Sequence, residues 1–287
     1  NELYGFLLEH QAELKGDQEI VLYEDVPARV LKALVTHKLK RSYDVIMVDE
    51  AQDWAPKWIS VLKMLLKAGG YLLFCDDPAQ SLWRFFNWEQ KGIHHVEKFV
   101  LDQPERTTAQ IMDFAQTLFD IEQRLHVGYD KDVYPVRTDH LLQGDIPEVY
   151  LYANAEQERA GVRELVHRLL EEGQAGSEIG LLCPYFPQAH SWSADTLIHE
   201  SQVYAGHFNV MKGLEFHTVI IPHLGELFPA QDEAGEALQE STLRKLFIAL
   251  TRAKRRVILT TVGDFPPSIA ALLHLARCVD LRGPVSD

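Results

Sequence analysis

The apolar positions of this chain fall into two rhythms. Short, nearly unbroken apolar runs occupy residues 45–48, 71–75, 148–152, 179–183, 217–222 and 257–261, and their length and β-branched content mark them as strands. The first of these, Val45 to Val48, carries no polar alternation and reads as a strand buried on both faces. Between the runs, apolar residues return every three or four positions. This predicts helices over 3–14, 26–39, 54–67 (through Trp58, Val61, Leu62, Leu65 and Leu66), 155–172 (through Val162, Leu165, Val166, Leu169 and Leu170) and 243–253. Pro27 sits in the first turn of its helix, where a missing N–H costs nothing, and Gly69-Gly70 ends the helix before the second strand. The strand–helix–strand order from 148 to 183 predicts a parallel sheet. Residues 184–206 read as loop and a short helix, 225–241 as a mobile acidic loop, and the apolar run 269–276 as a helix-like tail against the second part of the chain.

Composition narrows the setting. The chain has 287 residues, 46% hydrophobic and 24% charged, which is enough material for two globular parts. No apolar run approaches the roughly 20 residues needed to span a bilayer, and no secretory leader opens the chain, so a cytoplasmic protein without a membrane partner is expected. The opening residue, Asn1, points to a processed or excised piece. Cys75, Cys183 and Cys278 are far apart, without metal-site spacing, and read as buried reduced thiols. A net charge of −14 argues against a protein that coats nucleic acid nonspecifically, while leaving room for a local basic groove.

Chemistry concentrates where the strands end. The 45–48 run stops at two adjacent carboxylates, Asp49 and Glu50, with Asp53 close behind. In open parallel sheets ligands lie beyond the carboxyl ends of strands, where one carboxylate can hold Mg²⁺ and its neighbour can orient or deprotonate water. The alternative is that Asp49 caps a following helix and Glu50 and Asp53 complement its dipole. The 71–75 run ends likewise in Asp76, Asp77 and Gln80, and Gln80 is placed to sense a phosphate or orient water. Trp83, Arg84, Phe85, Phe86 and Trp88 follow as an aromatic cluster around a cation, either a stacking platform for single-stranded bases or a helix docking its rings into the core.

These residues carry a resemblance. Asp49-Glu50-Ala51-Gln52-Asp53 resembles motif II of the UvrD/Rep family of superfamily one DNA helicases, and the stretch from Asp76 to Trp83 resembles motif III. The family's later motifs follow in order: motif IV at 101–108, motif V at 210–216 and motif VI at 246–254. The resemblance implies an α/β protein of two RecA-like parallel-sheet parts, 1–100 being a first motor domain truncated at its N-terminus and 101–287 the second. It implies ATP and Mg²⁺ as cofactors and single-stranded or partly duplex DNA as partner. Asp49 is then the metal carboxylate, Glu50 the residue that activates water, Gln80 the γ-phosphate sensor, and Arg106 and Arg252 the two guanidinium fingers. Glu215 is implied to contact the nucleotide sugar, and Asp53 and Gly213 to line the nucleotide site. The resemblance also implies that Lys212 and Gly213 lie near the coupling between nucleotide and DNA, and that Trp83, Arg84 and Phe85 meet the bases. ATP is implied to sit between the two parts.

The chain also departs from the family. No Gly-x-x-x-x-Gly-Lys-Ser/Thr loop occurs in it, so an upstream segment or a partner chain is expected to supply the phosphate cradle. Asp76 stands for the usual Gly of motif III, Pro104-Glu105 for Asn-Tyr of motif IV, and Asn209 for the His of motif V. The functional expectation is an ATP-dependent helicase or translocase. The alternative is a nonhydrolysing helicase-like binding module, or one half of a split ATPase.

Overall fold

The computed structural model describes residues 24–36, 42–80, 87–94, 96–101, 104–124, 137–228 and 235–283. The helix expected over 3–14 and the aromatics Trp83 to Phe86 lie outside them. The chain divides into two compact units, Asn1–Phe99 and Val100–Asp287.

In the first unit, helix α1 (Val26–Thr36) precedes strand β1 (Tyr43–Val48), helix α2 (Pro56–Leu65) and strand β2 (Leu66–Phe74). Val26, Val30 and Leu34 of α1 are buried against Val61, with Trp58, Met64 and Leu65 packed alongside. Strands β1 and β2 pair in parallel, with Val45 opposite Tyr71 and Val48 opposite Phe74. Tyr43 is already opposite Leu66, so the intervening residues of β2 loop outward. Gly69 adopts φ 78°, and a Cβ on Gly70 would fall 2.7 Å from the Asp44 carbonyl oxygen. The glycine pair therefore shapes a bulge in β2, and the helix ends earlier, at Leu65.

The expected burial of β1 on both faces does not hold. Tyr43, Val45 and Met47 are exposed, Met47 by 70%, as are Tyr71 (75%) and Leu73 of the neighbouring strand. Among the described residues the sheet of this unit has two strands, and only the alternate side of β1 ends in a buried residue, Val48.

The second unit is built on a six-stranded sheet in the order β5-β4-β6-β7-β3-β8, every pair parallel. Its strands are β3 (Glu148–Tyr152), β4 (Ile179–Cys183), β5 (Tyr204–His207), β6 (Phe216–Ile221), β7 (Ala253–Val262) and β8 (Arg277–Asp280). Helices α3 (Ala109–Arg124), α4 (Ala155–Glu171), α5 (Phe186–Ser193), α6 (Thr196–Glu200) and α7 (Gly235–Leu250) connect or cover them. Asn154 caps α4 by accepting from Gln157 N–H at 2.9 Å. The apolar stripe of α4, Val162, Leu165, Val166 and Leu169, packs on Tyr150, Leu181, Ile220 and Ile258. Each of these four side chains contributes about 1.5–3 kcal/mol by leaving water. The alternate strand positions Val149, Leu182, Val219, Val257 and Leu259 are buried too, and α3 and α7 pack together and on β7. The sheet is thus covered on both faces, as a parallel sheet requires.

Several local expectations change. The 184–206 segment holds two helices and the edge strand β5. Helix α7 starts at Gly235, inside the stretch expected to be loop, and β7 starts at Ala253. The 269–276 run is a 3₁₀ segment, Pro267–Leu275, that leads into β8. Cys75 and Cys278 are exposed, and only Cys183 is buried, because the first ends a strand with one open face and the second lies on an edge strand. Both sheets are parallel throughout, so the chain is α/β with parallel-only sheets, as expected.

Candidate functional site

In the first unit, Asp49 to Asp53 form a tight turn at the end of β1. Glu50 stands in the left-handed region at φ 52°, unusual for a residue with a Cβ. Its N–H donates to Asp49 Oδ1 at 3.0 Å. The turn is tied to the end of β2 through two backbone bonds of 2.8 Å, Cys75 N–H to the Val48 carbonyl and Ala51 N–H to the Cys75 carbonyl. Gln52, wholly buried, donates its Nε2 to Glu50 Oε2 and accepts Asp77 N–H on Oε1 at 3.1 Å. One amide side chain thereby joins the two strand ends. Gln80 donates to Asp77 Oδ2 at 2.6 Å, which holds it beside the same strand end. Asp49 is exposed, while Glu50, Asp53, Asp77 and Gln80 are half-buried.

Sequence reasoning gave Gln52 no role, although its place between Glu50 and Asp53 in an otherwise acidic turn was the available signal. It also passed over Lys91, which is buried and donates to the Ala51 carbonyl at 2.7 Å.

In the second unit, residues from three separate segments meet at the N-terminal ends of β6 and β7. Arg106, just before α3, pairs with Glu215 Oε1, and Lys254 Nζ lies 3.0 Å from Glu215 Oε2. Phe216 N–H donates to the Arg252 carbonyl at 2.9 Å, which joins the two strand starts. Burial opposes ionisation of Glu215, but the hydrogen bonds from Arg106 and Lys254 outweigh it and hold its carboxyl below the usual carboxylate range. Arg106 is largely exposed and able to reach an anion. Arg252, by contrast, is 5% exposed, with Nε donating to the Ile248 carbonyl at 3.2 Å. Gly213 adopts φ 76°, so the turn before Glu215 needs a residue without a Cβ. Lys212, half-buried, and Gly213 lie in this same turn. Trp83, Arg84 and Phe85 are outside the described residues.

Residues 11–100 match the family model of the UvrD/REP helicase N-terminal domain. This segment is UvrD-like. That match spans the whole acidic turn, Gln80 and Lys91. No curated protein matches the sequence. Among solved structures, the chain is similar to the C-terminal domain of a possible DNA helicase from Lactobacillus plantarum WCFS1, at 18% identity and a TM-score of 0.42, with 60% of this chain and 97% of that one covered. Among the described residues, no helix is long and apolar enough to cross a membrane.

Proposed function

We propose that this chain carries part of the machinery of an ATP-driven DNA translocase or helicase. The observation that supports it most is the cluster of Arg106, Lys254 and Glu215 at the starts of β6 and β7. Two cations around one carboxylate suit a polyphosphate bearing a hydroxylated sugar: the guanidinium and ammonium bind phosphate oxygens, and the carboxylate accepts from the sugar hydroxyls. Arg252, close by in sequence to Lys254, contributes from a more buried position. Lys212 and the Gly213 turn couple the cluster to a bound strand, and the segment 83–85 stacks its bases.

In the first unit, Asp49 and Glu50 fit a hydrated Mg²⁺. One exposed carboxylate, Asp49, beside a second that is half-buried suits an ion that keeps most of its waters. Bound there, Mg²⁺ supplies charge neutralisation for the phosphates. Glu50, oriented by Gln52, accepts a proton from the attacking water, and Gln80 positions that water.

A nonhydrolysing binding module is the second reading, supported by the lack of a Gly-x-x-x-x-Gly-Lys-Ser/Thr loop in the chain. One experiment separates the two. In the protein encoded by the whole gene, Glu50→Gln is expected to lower DNA-stimulated ATP hydrolysis by at least about 100-fold while leaving nucleotide binding within a few-fold. Hydrolysis that is absent from the wild-type protein, or unaltered by the substitution, sinks the catalytic reading.

A further inference from the structure

Lys91 is 2% exposed, and the chemistry above does not use it. Its Nζ donates to the Ala51 carbonyl at 2.7 Å and lies 4.8 Å from the centre of the Trp88 ring. Burying an ammonium costs several kcal/mol before its partners compensate, whereas a methionine would fill similar space at no such cost. The reason for a lysine is therefore to be sought in what it holds.

It holds the turn that carries Asp49 and Glu50. Glu50 occupies a left-handed conformation that disfavours a side-chain-bearing residue by about 1–2 kcal/mol, so the turn persists only if its surroundings over-determine it. The Ala51 carbonyl is the next peptide oxygen after Glu50's own, and it accepts both Lys91 Nζ and Trp54 N–H, the latter at 3.2 Å. The platform beneath the lysine is braced independently. Asn87 and Gln90 exchange bonds of 2.8 and 3.0 Å, and Lys63 of α2 donates to the Gly92 carbonyl at 2.6 Å. Trp88 packs on Phe74, the last residue of β2, with ring centres 5.3 Å apart. A rigid base built on α2 and β2 thus reaches across to the turn after β1.

We propose that Lys91 is a positioning residue for Asp49 and Glu50: its ammonium, held over Trp88, fixes the Ala51 carbonyl and with it the direction of both carboxylates. This rests on the roles given to Asp49 and Glu50 above. The ammonium has two opposed effects on a divalent cation at the turn. As a nearby charge it weakens the cation's binding; as a brace it strengthens binding by preorganising the ligand. The brace dominates.

The test uses the whole chain with Lys91→Met, which keeps the apolar stem, and Lys91→Arg, which keeps a charged donor. Two quantities are measured: hydrogen exchange in the peptide covering 49–54, and binding of Mn²⁺ alone by its paramagnetic signal. The methionine variant is expected to exchange about tenfold faster at 49–54 with residues 148–152 unchanged, and to bind Mn²⁺ several-fold more weakly. The arginine variant returns both toward wild type. Unchanged exchange in Lys91→Met overturns the proposal, and so does tighter Mn²⁺ binding, the result of a pure charge effect. If Lys91→Met loosens the whole of 43–74, the arginine variant decides: wild-type protection at 49–54 supports the brace, and a loosened turn in a folded protein overturns it. A wild-type chain that binds no Mn²⁺ counts against Asp49 as a metal ligand, while the exchange comparison still decides the role of Lys91.

Discussion

Arg106 and Glu215 are 109 positions apart in sequence, yet they meet as an ion pair whose second carboxylate oxygen faces Lys254 at 3.0 Å. Any phosphate that reaches this cluster must share Arg106 with a carboxylate of the same sign as itself. Glu215→Gln removes that competition. The variant is expected to bind inorganic tripolyphosphate about three- to tenfold more tightly at low salt by calorimetry, with the gain shrinking as ionic strength rises. Because Arg106 is two-thirds exposed, the substitution costs the fold no more than about 1 kcal/mol.

Glu158 of α4 presents the opposite case. It is wholly buried, accepting Thr260 Oγ1 at 2.6 Å and the His223 backbone N–H at 3.0 Å on one oxygen, while His223 Nδ1 lies 2.8 Å from the other. Trp192 Nε1 donates to the other ring nitrogen of His223 at 3.2 Å, which holds the imidazole edge-on to Glu158. Burial pushes the Glu158 carboxyl up, but these bonds, led by that of His223, hold it below its ordinary value. A depressed carboxylate stabilises the fold above its unfolded pKa of about 4.3 and loses that contribution as pH falls through the folded value. Glu148, Asp195 and Glu215 shift in the same direction. The melting temperature of the second unit is therefore expected to be flat above about pH 7, to decline gently below about pH 6.5, because burial holds the His207 imidazole below its ordinary value, and to fall steeply below about pH 4. Glu158→Leu, which leaves the His223 and Thr260 donors stranded, costs about 3 kcal/mol at pH 7 in urea denaturation.

The thiols offer a simpler check. Cys75 and Cys278 are exposed, whereas Cys183 is buried, and desolvation pushes its thiol far up. In the native chain a thiol reagent is expected to modify Cys75 and Cys278 and to reach Cys183 only after denaturation. Modification of Cys183 at the same rate as the others would contradict the packing of β4.

The strands of the second unit were legible because a parallel sheet covered on both faces leaves continuous apolar runs such as Ile179–Cys183. Strands β5 (Tyr204–His207) and β8 (Arg277–Asp280) were not, since edge strands four residues long tolerate glycine and charge and so lose that contrast. The run 45–48 has the composition of a doubly buried strand, and only the three-dimensional pairing reveals that one of its faces is open. Asp49 and Glu50 were legible for a local reason, two carboxylates at an apolar strand's end. The Arg106–Glu215 pair has no local signature, and neither does the buried state of Lys91, which in sequence is an ordinary turn lysine before Gly92.

The open side of the β1–β2 sheet also governs how the chain behaves in bulk. Tyr43, Val45, Met47, Tyr71 and Leu73 form a sticky face on a molecule whose copies are otherwise held apart by a charge of −14. Mutual repulsion is expected to guard that face, and light scattering across a salt series checks whether added salt disarms it. Raising ionic strength, a harmless step for most proteins of this size, shortens the reach of the repulsion to a few ångströms and lets two such faces meet, so concentrated stocks keep best in dilute buffer.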